Sequence, residues 1–292
     1  MSNDDVKPTD DLVKAIKRLI AFFDLFEYPL SPLEMWHYLD QRFSLGEIMI
    51  ALEQLPPTIT QENGFYFLTG RQETLKTRQQ RYNYSQRKLR IAKRFSRLFI
   101  LFPFVKAVTI ANSLGAYNLR DGSDIDFFII TAPRRAWLSR LFCAGLAKLF
   151  NRRPSAGNKK DKLCLSFYVD AEHLNMSRLH LPVFDPYFFY WQRSLVLLYN
   201  KDKHYQKFLA ANALLPNLTE VKTAQPKKLT RLGDYLEKMV KQWQLKIMPV
   251  NLLSQSQIGE GVVLEEGIIK LYLLDRRQEF LKKYEEKIES LA

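Results

Sequence analysis

The stretch that decides the fold runs from Val108 to Thr131 and reads VTIANSLGAYNLRDGSDIDFFIIT. It closes an apolar, partly β-branched run, Val105 to Ile110, passes through Asn112-Ser113, and crosses a loop of small and polar residues from Gly115 to Ser123. It then enters Asp124-Ile125-Asp126 and a second apolar run, Phe127 to Ile130. Runs of this length and composition predict two buried strands. Residues i and i+2 of a strand share a face, so Asp124 and Asp126 project together, away from Ile125, Phe127 and Ile129. Two adjacent carboxylates repel when both are ionised. A hard cation such as Mg²⁺, which takes a few carboxylates together with phosphate oxygens, removes that conflict. Asn112-Ser113 offers a hydroxyl and backbone N–H groups of the kind that hold phosphates.

The combination of strand, Asn-Ser, spaced loop, Ser-Asp-x-Asp and second strand resembles the motif of the DNA polymerase beta-like nucleotidyltransferase superfamily. Ser113 matches the family serine, and Asp124 and Asp126 match its metal-binding acids. The family glycine before the serine is Asn112 here, and a second loop glycine of many members is Tyr117. More narrowly, the chain looks like prokaryotic nucleotidyltransferase-domain proteins with a winged-helix-like N-terminus. The resemblance implies Mg²⁺ or Mn²⁺ on Asp124 and Asp126, and a nucleoside triphosphate held by Asn112, Ser113 and Ser123. Its reaction is transfer of a nucleoside monophosphate to an acceptor, which could be a small molecule, RNA or protein. Active members carry a third acid on the next core strand. That strand is expected over Leu163 to Val169, which contains no acid; Asp161 precedes it and Asp170 follows it. The sequence leaves open whether either completes the metal site. The alternative is a catalytically inactive module that keeps the fold and binds nucleotide, RNA or a protein partner.

Outward from this centre, the sequence predicts an α+β protein: a small mixed-sheet nucleotidyltransferase core over 107–183, a winged-helix-like unit over 1–70, a basic connecting helix over 71–106 and a helical region over 184–292. In the first unit, Leu12, Ile16, Leu19, Ile20 and Phe23 lie on one helical face. Ser31-Pro32-Leu33-Glu34 and Ser44-Leu45-Gly46-Glu47 are capping boxes that start two more helices. Asn63-Gly64 between two short runs predicts a hairpin. The helix in the recognition position, Leu45 to Gln54, contains Glu47 and Glu53 and no cation, which argues against sequence-specific duplex DNA and for a scaffold or protein-contact role.

From Arg71 to Arg97 the cations face a single acid, Glu73. Leu89, Ala92, Phe95 and Phe99 follow helical spacing, which predicts a long amphipathic helix, either with a solvated outer face or acting as a cationic wall beside the site. Tyr82 and Tyr84 are candidates for stacking a base, against the plainer reading of packing residues. Further on, Asp185-Pro186 predicts an N-cap and a buried aromatic helix, and Leu264 to Leu291 reads as a last helix.

The balance of 44 Lys and Arg against 31 Asp and Glu, a net +13, favours anionic partners. Two cysteines, Cys143 and Cys164, suggest by their spacing neither a disulfide framework nor a metal site. With no signal-peptide pattern and no apolar run long enough to span a bilayer, the sequence predicts a cytoplasmic protein without a membrane partner.

Overall fold

The computed structural model describes residues 10–39, 43–111, 117–155, 157–212, 214, 231–258 and 261–291. Three helices come first: α1 (Asp10–Asp24), α2 (Pro32–Tyr38) and α3 (Leu45–Leu52). Both capping boxes form. Glu34 N donates to Ser31 Oγ at 3.4 Å and Ser31 N to the Glu34 carboxylate at 2.9 Å. The Ser44–Glu47 pair repeats this at 3.2 and 2.8 Å. The hairpin of β1 (Ile59–Glu62) and β2 (Phe65–Leu68) turns on Asn63 and Gly64, both at positive φ, as a two-residue loop between twisted strands requires. Leu30 and Tyr66 exchange backbone hydrogen bonds and tie this hairpin to the turn between α1 and α2.

The long helix α4 (Glu73–Phe99) leads into β3 (Val105–Ile110), β4 (Ile125–Thr131), α5 (Ala136–Leu149) and β5 (Leu163–Asp170). Then follow α6 (Pro186–Arg193), β6 (Val196–Asn200), α7 (His204–Ala211), α8 (Arg231–Lys246), α9 (Val250–Ile258), β7 (Val262–Glu265), β8 (Ile268–Leu271) and α10 (Arg277–Glu289). Among the described residues one mixed sheet has the order β6-β3-β4-β5-β8-β7, and its single parallel pair is β4–β5, joined through α5. The combination of helices with one mixed sheet meets the expectation of an α+β protein at that coarse level. The reading of 184–292 as helical is corrected: β6 closes one edge of the sheet, and β7 with β8 extends the other. The expected helix from Leu264 is a hairpin first and a helix only from Arg277.

Alternation along β4 divides the core. Ile125, Phe127 and Ile129 face a layer that includes Phe95, Phe99, Trp137 and Met248. Phe128 and Ile130 face the other side, where Trp191, Phe188 and Phe208 form one continuous cluster with Leu12, Ile16, Phe22 and Ile48. The described residues before 70 therefore share a core with the sheet, and among the described residues no second core is sealed off at that boundary. Opposite them, α8 braces α5: Glu237 accepts from Trp137 N at 2.7 Å and Leu138 N at 3.0 Å, supplying the acceptor that the first turn of α5 lacks from its own sequence. No helix among the described residues is long and apolar enough to cross a membrane.

Candidate functional site

The candidate site forms at the N-terminal ends of the parallel strands. Asp126 lies on β4 on the same face as Phe128 and Ile130, and Asp124 immediately precedes the strand. The parallel register sets Asp126 beside Cys164 of β5. Donor atoms of Asp124, Asp126 and Cys164 all lie within 4.8 Å of one another, and all three residues are half-buried. Burial pushes the Asp124 carboxyl above its ordinary range, against a backbone hydrogen bond and the charges of Lys159 and Lys88. Burial, followed by the charge and hydrogen bond of Asp126, pushes the Cys164 thiol well up.

Two half-buried carboxylates at this separation suit a divalent cation. The sulfur of Cys164 alters the donor set: oxygen-only sites favour Mg²⁺ and Ca²⁺, whereas a thiolate favours softer first-row metals. Neither Asp161, before β5, nor Asp170, which the structure makes the last residue of β5, joins them. Asp161 is held by Lys88 at 2.9 Å and Arg87 at 3.0 Å. Asp170 stands opposite Thr131, at the far end of the strand pair.

The loop that delivers Asp124 is clamped from α4. Lys88, wholly buried, donates to the carbonyls of Asp121 and Ser123 and to the Asp161 carboxylate. Arg87 reaches Asp121 at 2.6 Å, and Lys160 reaches the other oxygen of Asp121 at 2.6 Å. Hydrogen bonds to Lys160 and Arg87 hold the Asp121 carboxyl down at about 2. The expected cationic wall is thus in large part a set of ion pairs: Arg71 with Asp24, Arg78 with Glu34 and Arg81 with Glu27 continue the pattern towards the N-terminal helices. Lys76, Arg90, Lys93, Arg94 and Arg97 are exposed. Tyr82 packs against Tyr117, with ring centroids 5.3 Å apart, and Arg87 lies over the Tyr84 ring. Ser123 uses its hydroxyl on the carbonyls of Arg120 and Asp124, a loop-closing role. Asn112 and Ser113 lie outside the described residues.

Asp126 lines a cavity of about 190 Å³ that the sequence reading missed. Its walls come from β5, α6, β8 and α10. Tyr187 and Phe280 stack with ring planes 5° apart and centroids at 5.3 Å, and Phe167 and Trp191 stack at 5.5 Å and 16°. Trp191 also donates Nε1 to the carbonyl of Ala111 at 2.7 Å, which fixes the end of the strand leading to Asn112. Lys270, Arg276 and Arg277 supply the cations. The aromatic run from Tyr187 to Trp191 was legible as a buried helix. The signal for the cationic side was the pair of apolar runs flanking Glu266-Gly267, a hairpin that places Lys270 on the sheet.

Comparison with protein-family models, with curated proteins and with solved structures finds no match.

Proposed function

We propose that the chain is a metal-dependent nucleotidyltransferase that takes a nucleoside triphosphate as its Mg²⁺ or Mn²⁺ complex and transfers the nucleoside monophosphate to an acceptor hydroxyl. The observation that carries this reading is the Asp124–Asp126–Cys164 cluster opening, through Asp126, on a cavity with stacked aromatic walls and three cations. The resemblance of Ser113 to Asp126 to the polymerase beta-like motif supports it. Asp124 and Asp126 would hold the metal, which when bound stabilises charge on the attacking and leaving oxygens of an in-line displacement. The aromatic walls suit the flat base, and Asn112 and Ser113 remain the candidates for the outer phosphates. In the reaction the acceptor oxygen bonds to the α-phosphorus while the bond to the bridging oxygen of pyrophosphate breaks. The acceptor is a small molecule, RNA or protein. Sequence-specific duplex DNA is not a partner in this reading, since α3 presents Leu45, Met49 and Ile50 to solvent in place of cations.

A second reading rests on Cys164. The third donor beside the two acids is a thiol and not a carboxylate, which favours a binding module without turnover. The deciding experiment is calorimetry of each nucleoside triphosphate with Mg²⁺, with Mn²⁺ and with neither, followed by incubation with labelled triphosphate and cell extract. The transferase reading expects tighter metal-bound binding and labelled product. Equal affinity with and without metal overturns the metal role, and tight metal-dependent binding with no labelled product selects the binding module.

A further inference from the structure

Lys270 is a buried ammonium that shares its counter-ions, Asp275 and Asp185, with Arg277 and lies 5.9 Å from the centre of the Tyr272 ring. It lies on β8, is 5% exposed, and its side chain lines the Asp126 cavity and a second cavity of about 480 Å³ beyond it. Its one ionic contact among the described residues is Asp275, at a long 3.5 Å. Asp275 is already committed elsewhere. Arg277 donates to it from Nε at 2.9 and 3.0 Å, from a terminal nitrogen at 2.7 Å and from its backbone N–H at 3.1 Å. Arg277 in turn is balanced by Asp185 at 2.9 Å as well. An ammonium has three donors, and a buried charge without good partners is costly. Burial accordingly drives the Lys270 ammonium below its usual range, with the nearby Arg277 charge adding to the effect.

The sheet fixes where this charge points. Lys270 pairs with Phe167, and Phe167 with Phe128, so the three form a row across β8, β5 and β4. Asp126 lies two residues before Phe128 on the same face. Two strand spacings and two residue rises separate the backbones of Lys270 and Asp126 by roughly 12 Å. Both residues line one cavity.

We propose that Lys270 anchors a phosphoryl group of the ligand in the Asp126 cavity, so that the site selects polyphosphate-bearing ligands over nucleosides. The anchor rests on the nucleotide reading above only for the identity of the rest of the ligand. Arg277 makes the shorter contacts to Asp275 and leaves Lys270 the longer one, so Lys270 is the cation of the pair with donors to offer an incoming anion.

The test uses the full chain and three probes without metal: inorganic tripolyphosphate, ATP and adenosine. Lys270→Met should bind tripolyphosphate and ATP about tenfold or more weakly, the scale of one lost charge-assisted hydrogen bond. Adenosine affinity should not change, and the thermal midpoint should not fall. Lys270→Arg should retain anion binding. Tripolyphosphate binding equal to wild type in Lys270→Met overturns the proposal, as does an equal loss for adenosine or no binding of tripolyphosphate by the wild type. Unfolding of Lys270→Met beside a folded Lys270→Arg would show that the ammonium serves the fold and would also overturn it. Asp126→Asn separates the two ideas: it should keep metal-free tripolyphosphate binding while losing any metal-dependent gain. Retention of that gain in Asp126→Asn overturns the metal-nucleotide reading and leaves the anchor standing.

Discussion

The two ends of the β4–β5 pair each carry aspartate, and the structure uses them in opposite ways. At the C-terminal end, Asp170 is wholly buried and its carboxylate is filled: Arg134 N donates at 2.9 Å, Glu172 N at 3.0 Å, and His173 Nδ1 lies at 2.7 Å. Gly267 closes against this cluster. Its φ is +72°, and a Cβ there would stand 2.0 Å from His173 Nδ1, so a larger residue would have to displace the His173 side chain from this cluster. At the N-terminal end, Asp124 and Asp126 are half-buried and share space with a thiol, and Asp126 lines a cavity. A carboxylate with its acceptor sites filled by backbone N–H groups builds the fold. A carboxylate clustered with other donor atoms beside a cavity is placed where a ligand could reach the cluster. Residue type and strand position are alike; what differs is what fills the space beside each acid.

The largest expected effect tests the filled end. Asp170→Ala should cost about 3–5 kcal/mol of stability in urea unfolding, because it orphans buried donors. Whatever nucleotide affinity the folded fraction has should not change. A loss of affinity with unchanged stability would reverse the contrast between the two ends. Next comes the end with the acid–thiol cluster. Asp126→Asn should lower nucleotide transfer about a hundredfold or more, by loss of metal-held charge stabilisation, with the urea midpoint almost unmoved. Wild-type turnover in this variant would remove Asp126 from the site.

The loop clamp sharpens the comparison through pH. Burial acts to raise the Asp161 carboxyl, but hydrogen bonds and charge from Lys88 and Arg87 outweigh it, and the net shift is downward. A depressed carboxyl contributes stability that is fully present above its unfolded value of about 3.9 and is lost as pH falls through the lower folded value. Asp161→Asn should therefore narrow its stability gap from wild type as pH falls from about 6 to about 2. A constant gap over that range would show that the ion pairs with α4 are not what holds the loop. The smallest effect separates two cations of α4. Arg87→Ala should lose about 1 kcal/mol, having lost Asp121 and Asp161. Arg94→Ala, on the exposed face, should stay within about 0.5 kcal/mol of wild type. Equal costs for the two would mean that the clamp is not specific to the inward face.

Sequence by itself determined whatever depends on neighbours along the chain. Both capping boxes, the Asn63-Gly64 hairpin, the N-cap at Asp185 and the strands around Asp124 and Asp126 follow from local spacing, because helix caps, tight turns and strand faces are set within a few residues. Only the tertiary structure decided which groups surround the acids. The register of β4 against β5 made Cys164, and neither Asp161 nor Asp170, the third member of the cluster. The β7–β8 hairpin, hidden in a stretch with helical character, brought Lys270 to the sheet and the Asp126 cavity. Pairing with acids on other elements turned much of the basic face of α4 into a clamp. These are contacts between residues tens to more than a hundred positions apart. The free energy that selects them comes from burial and charge pairing across the core, which no short window of sequence contains.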